Sequence, residues 1–288
     1  MSFVKPMLAF NYSPADAVFP LYVQPKLDGM RCIATLMRGK CTLKTRTGKA
    51  INSVPHIAKQ LLDKFGDHEL LVLDGELYVH DLRDDFSGII SIVRASKPKK
   101  GHEKLEYWVY DCISATVRDR DHIDYMVESS QSFKERYMYL KECEAVGMFG
   151  GCLRLLRTES VNSHEGLLRR FREMRNDGYE GLMTRSPSGE YVHRRSKNLQ
   201  KMKEFDTYEY RIIGVEEGVG TMRGCAIFVC ASKHGEFRCK MIGTLQSLEK
   251  FVAKPSLAKG KWLTVKYQGF TSGDLPRFPI GLCIRDYE

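Results

Sequence analysis

Two hydrophobic rhythms alternate along the first two-thirds of the chain. Residues 70–79 (LLVLDGELYV) and 106–113 (EYWVYDCI) are proline-free runs of leucine, β-branched and aromatic side chains, the pattern of central strands. Residues 53–65 (SVPHIAKQLLDKF) predict a helix, with Ser53 as its cap and Pro55 in its first turn. Residues 162–178 (NSHEGLLRRFREMRNDG) predict a second helix, stopped by Gly178. The mixture predicts an α+β body over residues 1–204.

From Phe205 onward strands recur at short intervals, beginning near Tyr208, Cys225, Glu236, Trp262 and Ile280. One helical stretch, residues 245–252, falls between the third and fourth. That order predicts a small barrel of the OB type over residues 205–288, with a strand-rich extension of the first domain as the alternative. The GVGTMRG run at 218–224 lacks dinucleotide-binding spacing and lies between strands, so it reads as a turn.

Composition narrows the function classes. The 288 residues are 43% hydrophobic and 28% charged, which excludes disorder, collagen and coiled coil. No window nears the roughly 18 uninterrupted apolar residues of a membrane span, and the start lacks a signal peptide's apolar core, so no membrane association and an intracellular location are expected, in the cytoplasm or nucleus of a host cell or with a virus. Forty-five Lys and Arg against 36 Asp and Glu leave a net charge of +9, which favours a polyanionic partner. The nine scattered cysteines read as reduced core thiols rather than a disulfide framework, and the chain contains no C-x-x-C pair.

The most informative stretch is YVQPKLDGMR at 22–31, where Lys26 is followed by Asp28, Gly29 and Arg31. A lysine can attack phosphorus once its amine is neutral, which burial and nearby cations promote. Asp28 and Gly29 suit a tight turn, and Arg31 a phosphate clamp. A surface lysine before an Asp-Gly turn is the plainer alternative. Four more segments follow in order: TRTGK around Arg46, LDGELYV around Glu76, YEGLMTR around Glu180, and LQKMKEF with Lys201 and Lys203. With these five motifs the chain resembles the covalent nucleotidyltransferase superfamily, and within it the minimal ATP-dependent DNA ligases of viruses and phages.

The resemblance spans nearly the whole chain and implies a nucleotidyltransferase (adenylation) domain of antiparallel sheets and helices, followed by a C-terminal OB-fold β-barrel. It implies that Lys26 attacks the α-phosphate of ATP to form a lysyl-AMP, and that Arg31 and Arg46 contact the nucleotide and later the 5′-phosphate of nicked duplex DNA. Glu76 is expected on the ribose or a metal-bound water, with Asp74 shaping the turn beside it, and Tyr110 against the adenine face. Glu180 is expected in the environment of a Mg2+ ion. Lys201 and Lys203, alternating as a strand would place them, are expected on one face near the α-phosphate. Each has a plainer reading: an exposed turn arginine for Arg46, a core aromatic for Tyr110, a solvated loop carboxylate for Glu180, and a solvated strand edge for the two lysines.

Arg185, Arg194 and Arg195 are expected as a basic cluster, with DNA phosphate contacts for Arg185 and Arg195, and the run from Lys97 as a charged loop. Arg277 and Arg285 fall where the family contacts pyrophosphate, although Arg285 is followed by Asp286, Tyr287 and Glu288 instead of the usual aspartate and basic residue. The expected activity is nick sealing by a monomeric enzyme. RNA ligase, a GTP-dependent mRNA capping guanylyltransferase and a non-enzymatic nucleic-acid-binding module are the rivals. ATP is expected over NAD because only 25 residues precede Lys26.

Overall fold

The computed structural model describes residues 4–82, 86–114, 129–271 and 273–286. The chain divides into two compact units, Met1–Lys203 and Glu204–Glu288. Seventeen strands and five α-helices are assigned among the described residues.

The first unit carries two five-stranded sheets. One runs in the order β1 (Leu8–Asn11), β12 (Arg195–Lys203), β10 (Gly181–Arg185), β2 (Leu21–Lys26), β9 (Glu159–Val161). The other runs β4 (Lys40–Thr45), β3 (Met30–Met37), β5 (Leu71–Tyr78), β6 (Glu106–Ser114), β8 (Leu153–Leu155). Pairing is antiparallel except for one parallel pair at an edge of each sheet, β1 with β12 and β6 with β8. A two-stranded ribbon joins β7 (Ser129–Ser132) to β11 (Glu190–Tyr191).

Side-chain alternation on the strands gives each sheet a helix-covered face and a face turned to the other sheet. Cys32, Ala34 and Leu36 of β3 and Leu71, Leu73 and Leu77 of β5 pack with Ile57, Leu61 and Phe65 of α1 (Pro55–Phe65). Each of these three helix residues is fully buried, which stabilises the layer by roughly 1.5–3 kcal/mol apiece. On the first sheet, Leu21, Val23 and Leu182 pack against Leu167 and Met174 of α4 (His164–Asn176). The opposite faces meet through Ile33, Val72, Ile113 and Leu199, in one cluster with Tyr191 of the ribbon. Two further helices, α2 (Phe86–Val93) and α3 (Phe133–Ala145), complete the unit.

Local signals explain the helix ends, with one correction. Ser163 caps α4 by accepting from Gly166 N, and Gly178 beyond its end takes φ +86°, a conformation open to glycine. Ser132 forms a reciprocal capping box with Glu135 at the start of α3. Ser53, expected to cap α1, does not. Val54 holds that position, and the buried Ser53 hydroxyl donates to Val93 O at 2.8 Å, tying α1 to α2 instead.

The second unit is a closed barrel in the order β13 (Asp206–Glu217), β14 (Ala226–Ser232), β15 (Gly235–Met241), β17 (Ile280–Arg285), β16 (Trp262–Tyr267). Helix α5 (Leu245–Ala253) lies between the third and fourth strands in sequence, as the strand spacing predicts. Ile212, Phe228, Cys230, Leu263 and Val265 fill the interior together with Leu248 and Phe251 of α5. The short parallel pairing of Lys240 with Ile280 and Met241 with Gly281 closes the ring. No helix among the described residues is long and apolar enough to cross a membrane.

Candidate functional site

The two facing sheets of the first unit separate around a cavity of about 860 Å³. Lys26, Arg31, Arg46, Glu76, Tyr110, Arg185, Arg195 and Lys201 all line it. Lys26 is the last residue of β2, in one sheet, and β3 begins at Met30 in the other. The expected Asp-Gly turn is therefore a crossing between layers. Gly29 makes it possible, because a Cβ there would lie 2.4 Å from Leu77 O and 2.9 Å from the Glu76 side chain.

Strand register assembles the charged end of the cavity. Gly181 pairs with Lys26 on one side and Lys203 on the other, and Met183 pairs with Lys201. Glu180, one residue before β10, therefore sits between two lysines. Its carboxylate accepts from Lys26 Nζ and from Lys203 Nζ, the latter at 3.3 Å, and its side chain is only 8% exposed. Lys201 and Lys203 share a strand face, as their alternation predicts. Burial lowers the pKa of Lys201, and the cations of Lys203 and Lys26 lower it further. Lys203 enters the site through Glu180 and is not in the cavity wall.

Arg31 and Glu76 face each other across the β3–β5 ladder. Loss of solvation pushes the Glu76 carboxyl up to about 8, against the pull of Lys26 and Arg31. Asp74 does not shape the turn expected of it. It lies inside β5, 1% exposed, and accepts both Nε and Nη2 of Arg31 at 2.8 and 2.5 Å, together with the Tyr191 hydroxyl at 2.7 Å. This bidentate pair takes two of the five guanidinium N–H groups and fixes Arg31 in the cavity wall.

Tyr110 owes its position to a β-bulge. Asp74 pairs with Asp111 and Gly75 with Val109, so Tyr110 is the extra residue of β6. The irregularity turns Tyr110 and Asp111 to the same side, while Val109 and Cys112 both remain in the core, where Cys112 Sγ donates to Arg136 O of α3. The Tyr110 ring is half-buried, with the guanidinium carbons of Arg31 and Arg185 5.8 and 5.5 Å from its centre.

The basic cluster expected of Arg185, Arg194 and Arg195 is not formed. Arg185 is 4% exposed and donates from Nε to Gln24 Oε1 and from Nη1 to Asp111 Oδ2, both at 2.7 Å. A guanidinium so enclosed has two of its N–H groups committed to the protein framework at the cavity lining, away from the exposed Arg194 and Arg195. Arg195 is exposed, anchored on Ala9 O and lying over Phe10, and Arg194 is exposed beside it. Arg46 projects from the turn after β4, where Gly48 takes φ +87°. Arg277 and Arg285 belong to the second unit. Arg277 lies over the Phe278 ring, and Arg285, 52% exposed, is 3.9 Å from Glu209; Tyr287 and Glu288 lie outside the described residues.

Residue patterns missed Gln24, which lines the cavity, and Asp111 and Arg136; all three belong to one polar network with Arg185. One signal was available: Asp111 interrupts an otherwise apolar strand, and a carboxylate there requires a buried partner. For a metal, no cluster of three or more His, Cys, Asp or Glu exists among the described residues. The available carboxylates, Glu180 and Glu76, fit a magnesium ion that keeps waters and shares the oxygens of a bound phosphate.

Comparison with known proteins gives one family. Residues 6–203 match the family model of the ATP dependent DNA ligase domain, and residues 224–285 that of the DNA ligase OB-like domain. A DNA ligase of Haemophilus influenzae is 26% identical over 260 residues, 88% of this chain and 82% of its own length. Many solved structures share the fold, among them the following two. A Lig E DNA ligase is 24% identical with a TM-score of 0.75 over 97% of this chain and 98% of that one. The Chlorella virus DNA ligase-adenylate is 23% identical with a TM-score of 0.55 over 100% of both chains. Two-thirds of the chain folds around a lysine-centred cavity and matches a catalytic domain, and a barrel of the matching second type follows it: the chain belongs to the ATP-dependent DNA ligases.

Proposed function

We propose that the enzyme seals nicks bearing a 5′-phosphate and a 3′-hydroxyl in duplex DNA, through a covalent lysyl-AMP and a DNA-adenylate. Lys26 Nζ, having lost its proton, forms a bond to the α-phosphorus of ATP while the bond to the β-phosphate oxygen breaks and pyrophosphate leaves. The 5′-phosphate then displaces Lys26 from the AMP. In the last step the 3′-hydroxyl attacks that activated phosphate, loses its proton, and AMP departs. The reading rests on one observation: Lys26 ends its strand in the cavity beside Glu180, with Lys201 lining the same wall and Lys203 on the same carboxylate.

Positioning and charge neutralisation carry most of such a reaction. Tyr110 supplies a face for the adenine, and Glu76 accepts from the ribose. Lys201 and Lys203 offset the charge that builds on the α-phosphate. Arg31, held by Asp74, presents its remaining N–H groups to phosphate; Arg46 and Arg195, both exposed, serve the nicked strand. Pyrophosphate contacts by Arg277 and Arg285 belong to the same reading, as does a monomeric enzyme working inside the cell. Glu180 and Glu76 would hold Mg2+, which neutralises phosphate charge when bound.

The test is transfer of label from α-labelled ATP to protein, with Lys26→Ala beside the wild type. Label should appear on the wild type alone and chase into AMP as nicked DNA is joined. Labelling by GTP in preference to ATP, or joining of RNA ends in place of nicked DNA, would move the enzyme to a different substrate class. Label on the Lys26→Ala protein would remove Lys26 from its role.

A further inference from the structure

A closed ring of polar contacts runs through three strands at the cavity wall, where Gln24, Tyr110 and Arg185 are lining residues. Asp111 of β6 is fully buried, and its carboxylate accepts Arg185 of β10 and Arg136 of α3, the latter through Nε at 2.7 Å and Nη2 at 3.1 Å. Arg185 Nε reaches Gln24 of β2. The Gln24 amide returns to β6 by donating to Tyr110 O at 3.2 Å, and also to Thr158 Oγ1 at 2.8 Å. Gln24 stands two residues before Lys26 on the same strand face, and Asp111 directly follows Tyr110. The ring therefore ties the base platform on one sheet to the nucleophile's strand on the other.

A shared core would hold two sheets together without any of this. Burying two guanidinium groups and a carboxylate is expensive unless geometry is gained, because an apolar replacement often matches or exceeds such a group in stability. The arrangement is also directional. Each bond fixes an orientation, Gln24 is 1% exposed, and Arg185 is clamped between the Tyr110 and Phe133 rings, 4.5 Å from the centre of the latter. The bulge that brings Tyr110 to the cavity wall also turns Asp111 to that same side, so a single irregularity in β6 places both ends of the link.

We propose that Asp111, Arg185 and Gln24 are positioning residues that set the distance and angle between the Tyr110 platform and Lys26, and so control the rate of lysine adenylylation. The inference rests on the reading of Lys26 as nucleophile and Tyr110 as base platform. A misplacement near 1 Å lowers a reaction rate by about 100-fold while leaving uniform binding largely intact.

The experiment measures single-turnover formation of protein-AMP against ATP concentration for the wild type, Asp111→Asn, Arg185→Lys and Gln24→Met, below the thermal transition of each. Arg185→Lys keeps a cation for Asp111 but replaces the rigid fork of Nε and Nη1 with one nitrogen on a flexible stem, which removes the fixed angle between Gln24 and Asp111; Gln24→Met cuts the ring without removing charge, which keeps the measurement available where Asp111→Asn fails to fold. The expected result is a maximum rate lowered about 100-fold with half-saturating ATP raised no more than about threefold. Any folded variant that reaches the wild-type maximum rate overturns the proposal, even with a lowered melting temperature, since that combination is what a purely structural role produces. Wild-type protein that takes no label on Lys26 would instead overturn the parent reading, so the two failures are distinguishable.

Discussion

Lys26 and Glu180 are joined twice. Glu180 N donates to Lys26 O at 3.1 Å, and the Lys26 ammonium donates to the Glu180 carboxylate. The end of β2 and the entry to β10 are thus locked through main chain and side chain together, and Lys203 approaches the same carboxylate from the neighbouring strand.

Glu180→Gln leaves two ammonium groups facing a neutral amide. A hydrogen bond to a charged group contributes about 1.5–3 kcal/mol, so protein-AMP formation should fall roughly 10- to 100-fold. Rapid-quench labelling with ATP would measure this, and an unchanged rate would show Glu180 to be dispensable for the first step.

Glu76 makes stability depend on pH. Its folded pKa of about 8 lies above the unfolded value of about 4.3, so between those limits the folded protein holds a proton that the unfolded chain has released. The contribution is fully present below about pH 4.3 and is lost as pH rises through about 8, with a slope of at most about 1.4 kcal/mol per pH unit. Denaturant unfolding without nucleotide or divalent cation should show wild type losing stability relative to Glu76→Gln between pH 5 and 8. A constant difference across that range would contradict the expectation.

Gly29→Ala tests the crossing between sheets. The new Cβ would press on Leu77 O, a backbone atom that cannot swing aside. A loss of about 1–3 kcal/mol is expected from such overpacking, read as a lower melting temperature, with slower labelling because Lys26 is three residues away.

Tyr110 separates stacking from hydrogen bonding. Its hydroxyl is 3.5 Å from Glu76, a long contact, so Tyr110→Phe should bind ATP nearly as the wild type does. Tyr110→Ala removes the ring and should weaken ATP binding by about 3- to 10-fold, in keeping with about 0.5–1.5 kcal/mol for an aromatic pair. Titration calorimetry distinguishes the two variants; equal affinities would place the base elsewhere.

Much of this molecule was legible in one dimension. Strand runs, the helix stop at Gly178 and the five-strand barrel order follow from side-chain periodicity and backbone preference, which act over a few residues. Lys26, Glu76, Glu180 and Lys201 stood out because each sits in a short motif on or beside a single strand. Three-dimensional placement decided what motifs cannot express. Ser53 left its cap position for a carbonyl 40 residues away, Asp74 became the anchor of Arg31, and Arg185 turned inward to a carboxylate 74 residues distant. Short-range preferences are written into neighbouring residues, whereas the partner of a buried charge is chosen by which strands lie side by side. Sheet register and one bulge at Tyr110 settled that choice, since a shift of a single residue moves a side chain to the opposite face.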